Sequence, residues 1–357
     1  MKSADTETNS LSRLNDSIES AWTRVLDRVS LQGGVKRMLV LVVIAFVIFA
    51  ALKPSVFLSG TNLRNIALNS PEIGVLAIAM MLAMLTGGID LSLVATANLA
   101  AITMSTVYTA VAASNPTLAE QSFPLILLAG IAVGVVGGCI NGLLISVVGI
   151  TPILATLGTM QIFNGIAVAW TGGKTLNGTP AALTAIGAST LGGIPTLFFV
   201  FVLLAIAVGV IINRTPLGLR IQLQGANPTA ARYSGIASQK TLMSTYVLTG
   251  LLSGIAGVFF IARNPTASAD YGASYVLLVI VIAVLGGTNP NGGFATVLGV
   301  VLATLTLQIV SSGFTALRLS SYQYAIAQGL VLVAAMAFEQ VRWRRRRRQI
   351  KPAIQPS

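Results

Sequence analysis

Apolar stretches recur along the 357-residue chain, separated by short polar connections. A hydrocarbon core about 30 Å thick takes roughly 20 residues per helical crossing. Runs near that length fall at 38–52, 72–86, 92–113, 123–148, 152–171, 195–213, 241–262, 274–287, 294–313 and 323–339. They predict an all-α polytopic membrane bundle of about ten transmembrane helices. Two Gly-rich interruptions, LTGGIDLS at 85–92 and LGGTNPNGGF at 285–294, each follow an apolar run and predict broken helices. Irregular backbone at membrane depth survives only when it is buried in protein or lines a cavity. Both interruptions enter on Leu with a Gly-Gly pair and exit into apolar sequence, as an internal repeat would; Asn-Pro and Asn-Gly are also ordinary turn dipeptides.

Finer patterning adds three elements. Gly130, Gly134, Gly138 and Gly142 line one helix face at a spacing of four, where missing side chains admit a neighbouring backbone, and Gly250 and Gly254 repeat the pattern. Residues 11–29 set Leu11, Leu14, Ile18, Trp22, Val25 and Val29 at spacings of three and four, which predicts an amphipathic helix for the membrane surface or a partner. Between Arg214 and Lys240 lies the longest polar connection, with four cations and no acid. Within it NPTAARYSGI predicts a short helix: Asn227 caps it, Pro228 suits its first position, Ala230 and Ala231 favour it, and Gly235 suits its end. Such a helix is a ready docking element. The chain thus divides into an amphipathic segment (1–35), a membrane domain (36–340) with a connecting loop at 214–240, and a basic tail (341–357).

Composition agrees with the pattern. The chain is 54% hydrophobic and 9% charged, with a mean hydropathy of +0.83, against about a quarter charged in soluble domains. Its net charge of +12 is partitioned by loop: with the N-terminus inside, 17 of the 22 basic residues fall on inner segments. The positive-inside rule then places both termini in the cytoplasm. RWRRRRRQIK follows an apolar crossing, where membrane lipid is the nearest polyanion, so nucleic acid is not an expected partner. The first 35 residues lack a secretory signal pattern, Lys2 excludes myristoylation, and the first crossing is expected to act as an uncleaved insertion signal.

The chemistry that is missing is informative. There is no His and one Cys, Cys139, so an intrachain disulfide and a His-based metal site are excluded and no metal is expected. No G-x-x-x-x-G-K-[ST] loop occurs; WTGGKTLNG lacks the first glycine at the required spacing, so the chain is not expected to hydrolyse ATP alone. No nucleophile has a His base, and no catalytic residue is assigned. The polar residues within apolar runs are Asp90, Asn98, Asn141, Gln161, Asn164, Gln308 and Gln328, with Asp90 read as the only carboxylate at membrane depth. An ionisable group there is costly and is a default functional candidate. Asp90 fits two roles: a helix-start cap taking N–H bonds from the turn after it, beside Ser92, or a direct solute contact.

Four motifs in order, TGGIDLS (86–92), GANPTAARYSGI (225–236), VLGGTNPNGG (284–293) and SSYQYAIAQGLVLVAA (320–335), resemble the permease subunits of bacterial sugar ABC importers of the ribose, xylose, rhamnose or autoinducer-2 type. The resemblance spans roughly 36–340 and implies a multi-pass protein of the bacterial inner membrane that moves a monosaccharide or a related small polyol or furanosyl solute inward. It implies a separate ABC ATPase subunit using ATP and Mg, with no cofactor bound by this chain. It also implies a periplasmic or lipid-anchored sugar-binding protein and a second permease subunit, identical or not. By the same resemblance Gly225, Asn227, Ala230, Ala231, Arg232, Ser234, Gly235 and Ile236 match the segment that couples to the ATPase. Pro228 and Thr229 stand where relatives carry acidic residues, IDLSLVATA lacks a usual glycine, and Phe294 replaces a small or basic residue, as in a distinct sugar subfamily or one half of a heterodimer. WTGGKTLNGTPAAL looks like an external segment of members serving rhamnose or autoinducer-2. A neutral polyhydroxylated solute suits amides, which both donate and accept, so Asn141, Gln161 and Asn164 join Asp90 as candidates for the pathway. Two other readings stand beside this one: a proton-coupled secondary transporter using Asp90, and a non-transporting membrane scaffold.

Overall fold

The computed structural model describes residues 33–320, 322–327, 329 and 330. The expected amphipathic helix at 11–29, Gln328, most of the run at 323–339 and the basic tail lie outside the described residues.

In chain order the main helices are α1 (Gly33–Leu52), α2 (Gly60–Leu85), α3 (Leu93–Ser114), α4 (Phe123–Ser146), α5 (Pro152–Thr171), α6 (Thr196–Arg214), α7 (Pro216–Ala226), α8 (Pro228–Tyr233), α9 (Ser238–Arg263), α10 (Tyr275–Leu285) and α11 (Val297–Ala316). Eight of these are long and apolar enough to cross a membrane; α7 and α8 are short, and α10 is a shorter apolar helix. Residues 322–327 are helical, where the tenth run begins. Among the described residues sheet is confined to two antiparallel pairs of two-residue strands: β1 (Leu176–Asn177) with β4 (Thr266–Ala267), and β2 (Thr190–Leu191) with β3 (Ile194–Pro195).

Helix boundaries follow local chemistry. Hydropathy alone starts the second run at 72, whereas α2 starts at Gly60, because the Ser59 hydroxyl accepts from the Asn62 amide and carries the helix through a polar first stretch and past Pro71. A proline occupies the first turn of α4, α5, α7 and α8, where its missing N–H would have no partner anyway.

The core is built around α2 and α9, whose most apolar windows are 83% and 72% buried, while α1 is 22% buried and lies at the edge. Along its 26 residues α9 packs against α2, α3 and α4. The two glycine sets read from the sequence face one another: a Cβ on Gly134 would meet the Gly250 carbonyl and the Gly254 backbone, and one on Gly138 would meet the Tyr246 carbonyl and Gly250. The backbones of α4 and α9 are therefore in direct contact, as small residues allow where lipid offers no hydrophobic drive for helix association.

That contact predicts an asymmetry between glycines. Gly138→Val should lower the stability of the detergent-solubilised protein by about 1–3 kcal/mol or more, since neither backbone can give way. Gly60→Ala, with nothing within 4 Å of the new methyl, should leave the thermal unfolding midpoint unchanged or slightly raised.

Candidate functional site

Two features meet between α2 and α3, and the first is a polar network. Helix α2 ends at Leu85, Gly87 takes φ of +80°, and α3 begins at Leu93. Asp90, 1% exposed, lies between them. Its Oδ1 accepts from the Ser92 amide at 3.0 Å and the Ser92 hydroxyl at 2.6 Å, and its Oδ2 accepts from Thr249 on α9 at 3.1 Å. Ser92 in turn accepts from Asn141 Nδ2 on α4 at 2.7 Å, and Asn141 Oδ1 accepts from the Thr159 hydroxyl on α5 at 2.6 Å. One helical turn earlier, Thr156 accepts from the Leu91 amide and donates towards the Ile89 carbonyl. The break is thus held by four helices through hydroxyls and amides, and the carboxylate bonds to no cation among these partners.

The second feature is a backbone junction. The Gly293 amide donates to the Leu85 carbonyl at 2.9 Å. A Cβ on Gly225, at the end of α7, would strike that same carbonyl and the Gly293 nitrogen, and one on Gly292 would strike Gly225 and Gly87. The two Gly-rich interruptions, far apart in sequence, therefore touch each other and the segment leading into α8. Gly292 and Gly293 have φ of +90° and +83°, a conformation that disfavours any side chain.

Helix α8 forms as its caps dictate. The Asn227 side chain accepts from the Ala230 amide at 3.0 Å, Pro228 opens the helix, and Gly235 closes it at φ of +78°, with the Ile236 amide bonded to the Ala231 carbonyl. Its residues face two ways. Gly225 and Ala231 are buried, and Ala231 seats the helix on the bundle, whereas Asn227, Ala230, Arg232, Ser234 and Gly235 are exposed. Sequence reasoning passed over Tyr233, which is 90% exposed; a large aromatic so placed is the usual anchor of a protein interface.

Of the four pathway candidates, Asp90 and Asn141 are brought together through Ser92. Gln161 and Asn164, on α5, do not join the network: Gln161 is exposed, and Asn164 is half-buried with its Oδ1 buried and unpartnered. Reading Asp90 as the only carboxylate at depth needs correction. Glu72, at the edge of a hydropathy run, is fully buried inside α2 and ion-paired with Arg263 at 3.0 Å, because the helix extends well beyond the apolar run. Tyr271, in the connection between α9 and α10, also bonds Glu72; burial and the neighbouring carboxylate push its phenol up, so it remains a donor. Among the described residues no group of three or more His, Cys, Asp or Glu side chains is placed to hold a metal ion.

Residues 62–336 match the family described as the branched-chain amino acid transport system / permease component. The galactose/methyl galactoside import permease MglC of Escherichia coli is 31% identical over 88% of this chain and 96% of its own length. The ribose import permease RbsC of Bacillus subtilis is 32% identical over 83% and 89%, and the autoinducer 2 import system permease LsrD of Yersinia pseudotuberculosis is 30% identical over 79% and 86%. No solved structure gives a significant match.

The network predicts coupled losses. Asn141→Ala strands buried donors and acceptors on Ser92 and Thr159 and should cost about 1–3 kcal/mol of stability. Adding Thr159→Val should cost less than the sum of the single changes in a double-mutant cycle followed by thermal unfolding.

Proposed function

The chain belongs to the permease family of branched-chain amino acid transport systems, and from that membership we propose that it is the transmembrane subunit of an ABC importer carrying a monosaccharide or a related small polyol or furanosyl solute into the cytoplasm. Relatives named for galactose, ribose and autoinducer 2 import, each aligned over most of both chains, support the solute class. The chain is a multi-pass inner-membrane protein that works with an ATPase subunit and a solute-binding protein. It is a transport subunit without an ATPase site of its own: ATP and Mg act on the partner, and this chain binds no cofactor. A second permease subunit completes the pathway, and both termini are cytoplasmic.

One observation carries the mechanism: the exposed helix α8 is joined through Gly225 to the backbone of both helix breaks. Force from the ATPase enters at Tyr233, Arg232, Ala230, Ser234 and Gly235, with Asn227 and Ala231 holding the helix in form and place. A carboxylate-lined patch is the complementary surface, since the loop from Arg214 to Lys240 has four cations and no acid. Through Gly225 the displacement reaches Leu85 and Gly293, and so the interruption holding Asp90; two packings of such a joint give the two states of an alternating-access cycle. Asp90, with both oxygens engaged by Ser92 and Thr249, anchors the break at the edge of the route. Asn141, buried and bonded to Ser92 and Thr159, serves the pathway by bracing its wall, and Gln161 and Asn164 on α5 offer amides to hydroxyl groups of the passing solute.

In proteoliposomes holding this chain, the ATPase subunit and the binding protein, sugar uptake should require internal ATP, vanish when the ATPase is omitted, and ignore an uncoupler while ATP is maintained. Accumulation by this chain alone would overturn the reading. Tyr233→Ala should weaken co-purification of the ATPase by about 2 kcal/mol, or roughly 30-fold in affinity, while the permease itself melts as the parent does.

A further inference from the structure

At the end of α9 farthest from α8, a second buried cluster ties down the connection 264–274. Glu72 Oε2 accepts from Arg263 Nη1 at 3.0 Å and from the Tyr271 hydroxyl at 3.1 Å. Asn264 donates to the same Tyr271 hydroxyl at 3.0 Å. From α3, Asn98 Nδ2 donates to the carbonyls of Ala269 and Tyr271 at 2.7 and 2.9 Å. Within the connection, β4 pairs with β1, which follows α5. The Tyr271 ring lies on Phe260, with centroids 4.7 Å apart. The connection is thus fastened to α2, α3 and the segment after α5 at once.

Two properties mark this cluster as a contact that opens. Full burial of one charge in an ion pair costs desolvation that can match or exceed the attraction, so the pair is a poor device for stability alone, and hydration of both charges on opening would offset its loss. Arg263 is already 25% exposed, so one partner of the pair is open at its edge. The Asn98 side chain is 3% exposed and its Oδ1 has no partner, so the fastened arrangement leaves an acceptor that water would satisfy on release. A rigid element connects this end to the other. Helix α9 starts just after the loop that closes α8, bonds Asp90 through Thr249 midway, and ends on Arg263. At about 1.5 Å per residue it spans roughly 39 Å.

We infer that Glu72, Arg263 and Tyr271 are positioning residues that latch shut the end of the solute pathway opposite α8, and that α9 releases the latch when α8 is displaced. This rests on the import reading above, and Asn98 and Asn264 complete the fastening.

The test uses the assembled transporter in proteoliposomes with Cys139→Ser and a single reporter, Ala267→Cys, in the paired strand of the latched connection. Ala267 is 2% exposed, and labelling by a membrane-impermeant maleimide should be slow without nucleotide and faster after trapping with ATP, Mg and vanadate. Glu72→Gln should raise the nucleotide-free rate at least about tenfold, Tyr271→Phe should raise it a few-fold, and the swapped pair Glu72→Arg with Arg263→Glu should restore the slow rate. A reporter at Ala283→Cys, a position fully buried in α10, should stay unlabelled throughout, which separates latch release from unfolding. Parental labelling in both single variants, or labelling indifferent to nucleotide, overturns the latch. Uptake of galactose, ribose and autoinducer 2 is measured in the same vesicles: its absence alongside nucleotide-dependent labelling sinks the import reading and leaves the latch standing.

Discussion

A backbone that stops being helical inside lipid leaves amides and carbonyls with no water to receive them, and the centre of this protein is organised by that constraint. Where α2 ends, the Leu85 carbonyl is taken by the amide of Gly293, from the other interruption. Glycines at 87, 225, 292 and 293 are what bring these backbones near enough. Neither break is self-sufficient, so displacement of one strand of this joint is felt by the other two. The mechanical sensitivity required of a permease follows from how its helix ends are satisfied.

Scarcity of charge gives each buried polar group more weight. The two carboxylates buried among the described residues are treated in opposite ways. Asp90 is held by hydroxyls and an amide, a neutral cradle that fixes a turn. Glu72 is held by a cation at the end of α9 and a phenol in the connection that follows it. The neutral cradle leaves no cation to desolvate beside Asp90, whereas the charge pair of Glu72 carries a desolvation cost that its attraction has to offset.

Much of the fold was legible because it is written in hydropathy and small residues. Nine of the ten apolar runs correspond to the eight long helices and α10, the tenth lies mostly outside the described residues, and the facing glycine sets of α4 and α9 were both visible as spacings of four. Helix α8 was readable to the residue, because Asn227, Pro228 and Gly235 each do one local job that neighbours do not override. Glu72 was missed because hydropathy marks where lipid is met rather than where a helix starts, and a capped polar first stretch put it in mid-helix. Ala231 stood out in sequence as a helix former while Tyr233 did not, and only packing shows that one seats the helix and the other projects from it. The meeting of Gly225 with Gly292 and Gly293 has no local signature at all, since it depends on how distant segments close.

Helix α1 sits at the rim and rests chiefly on α11, with Phe49 against Phe314 and against the bare face of Gly313. Roughly 250 residues of chain separate the two, which at about 5–20 residues per second means tens of seconds on the ribosome. Throughout that interval α1 has Phe57 against Phe46 and Phe49 but lacks its chief support. A late truncation therefore leaves a chain already threaded through the membrane with α1 resting on Phe57 alone of its aromatic partners, the face meant for Phe314 and Gly313 uncovered.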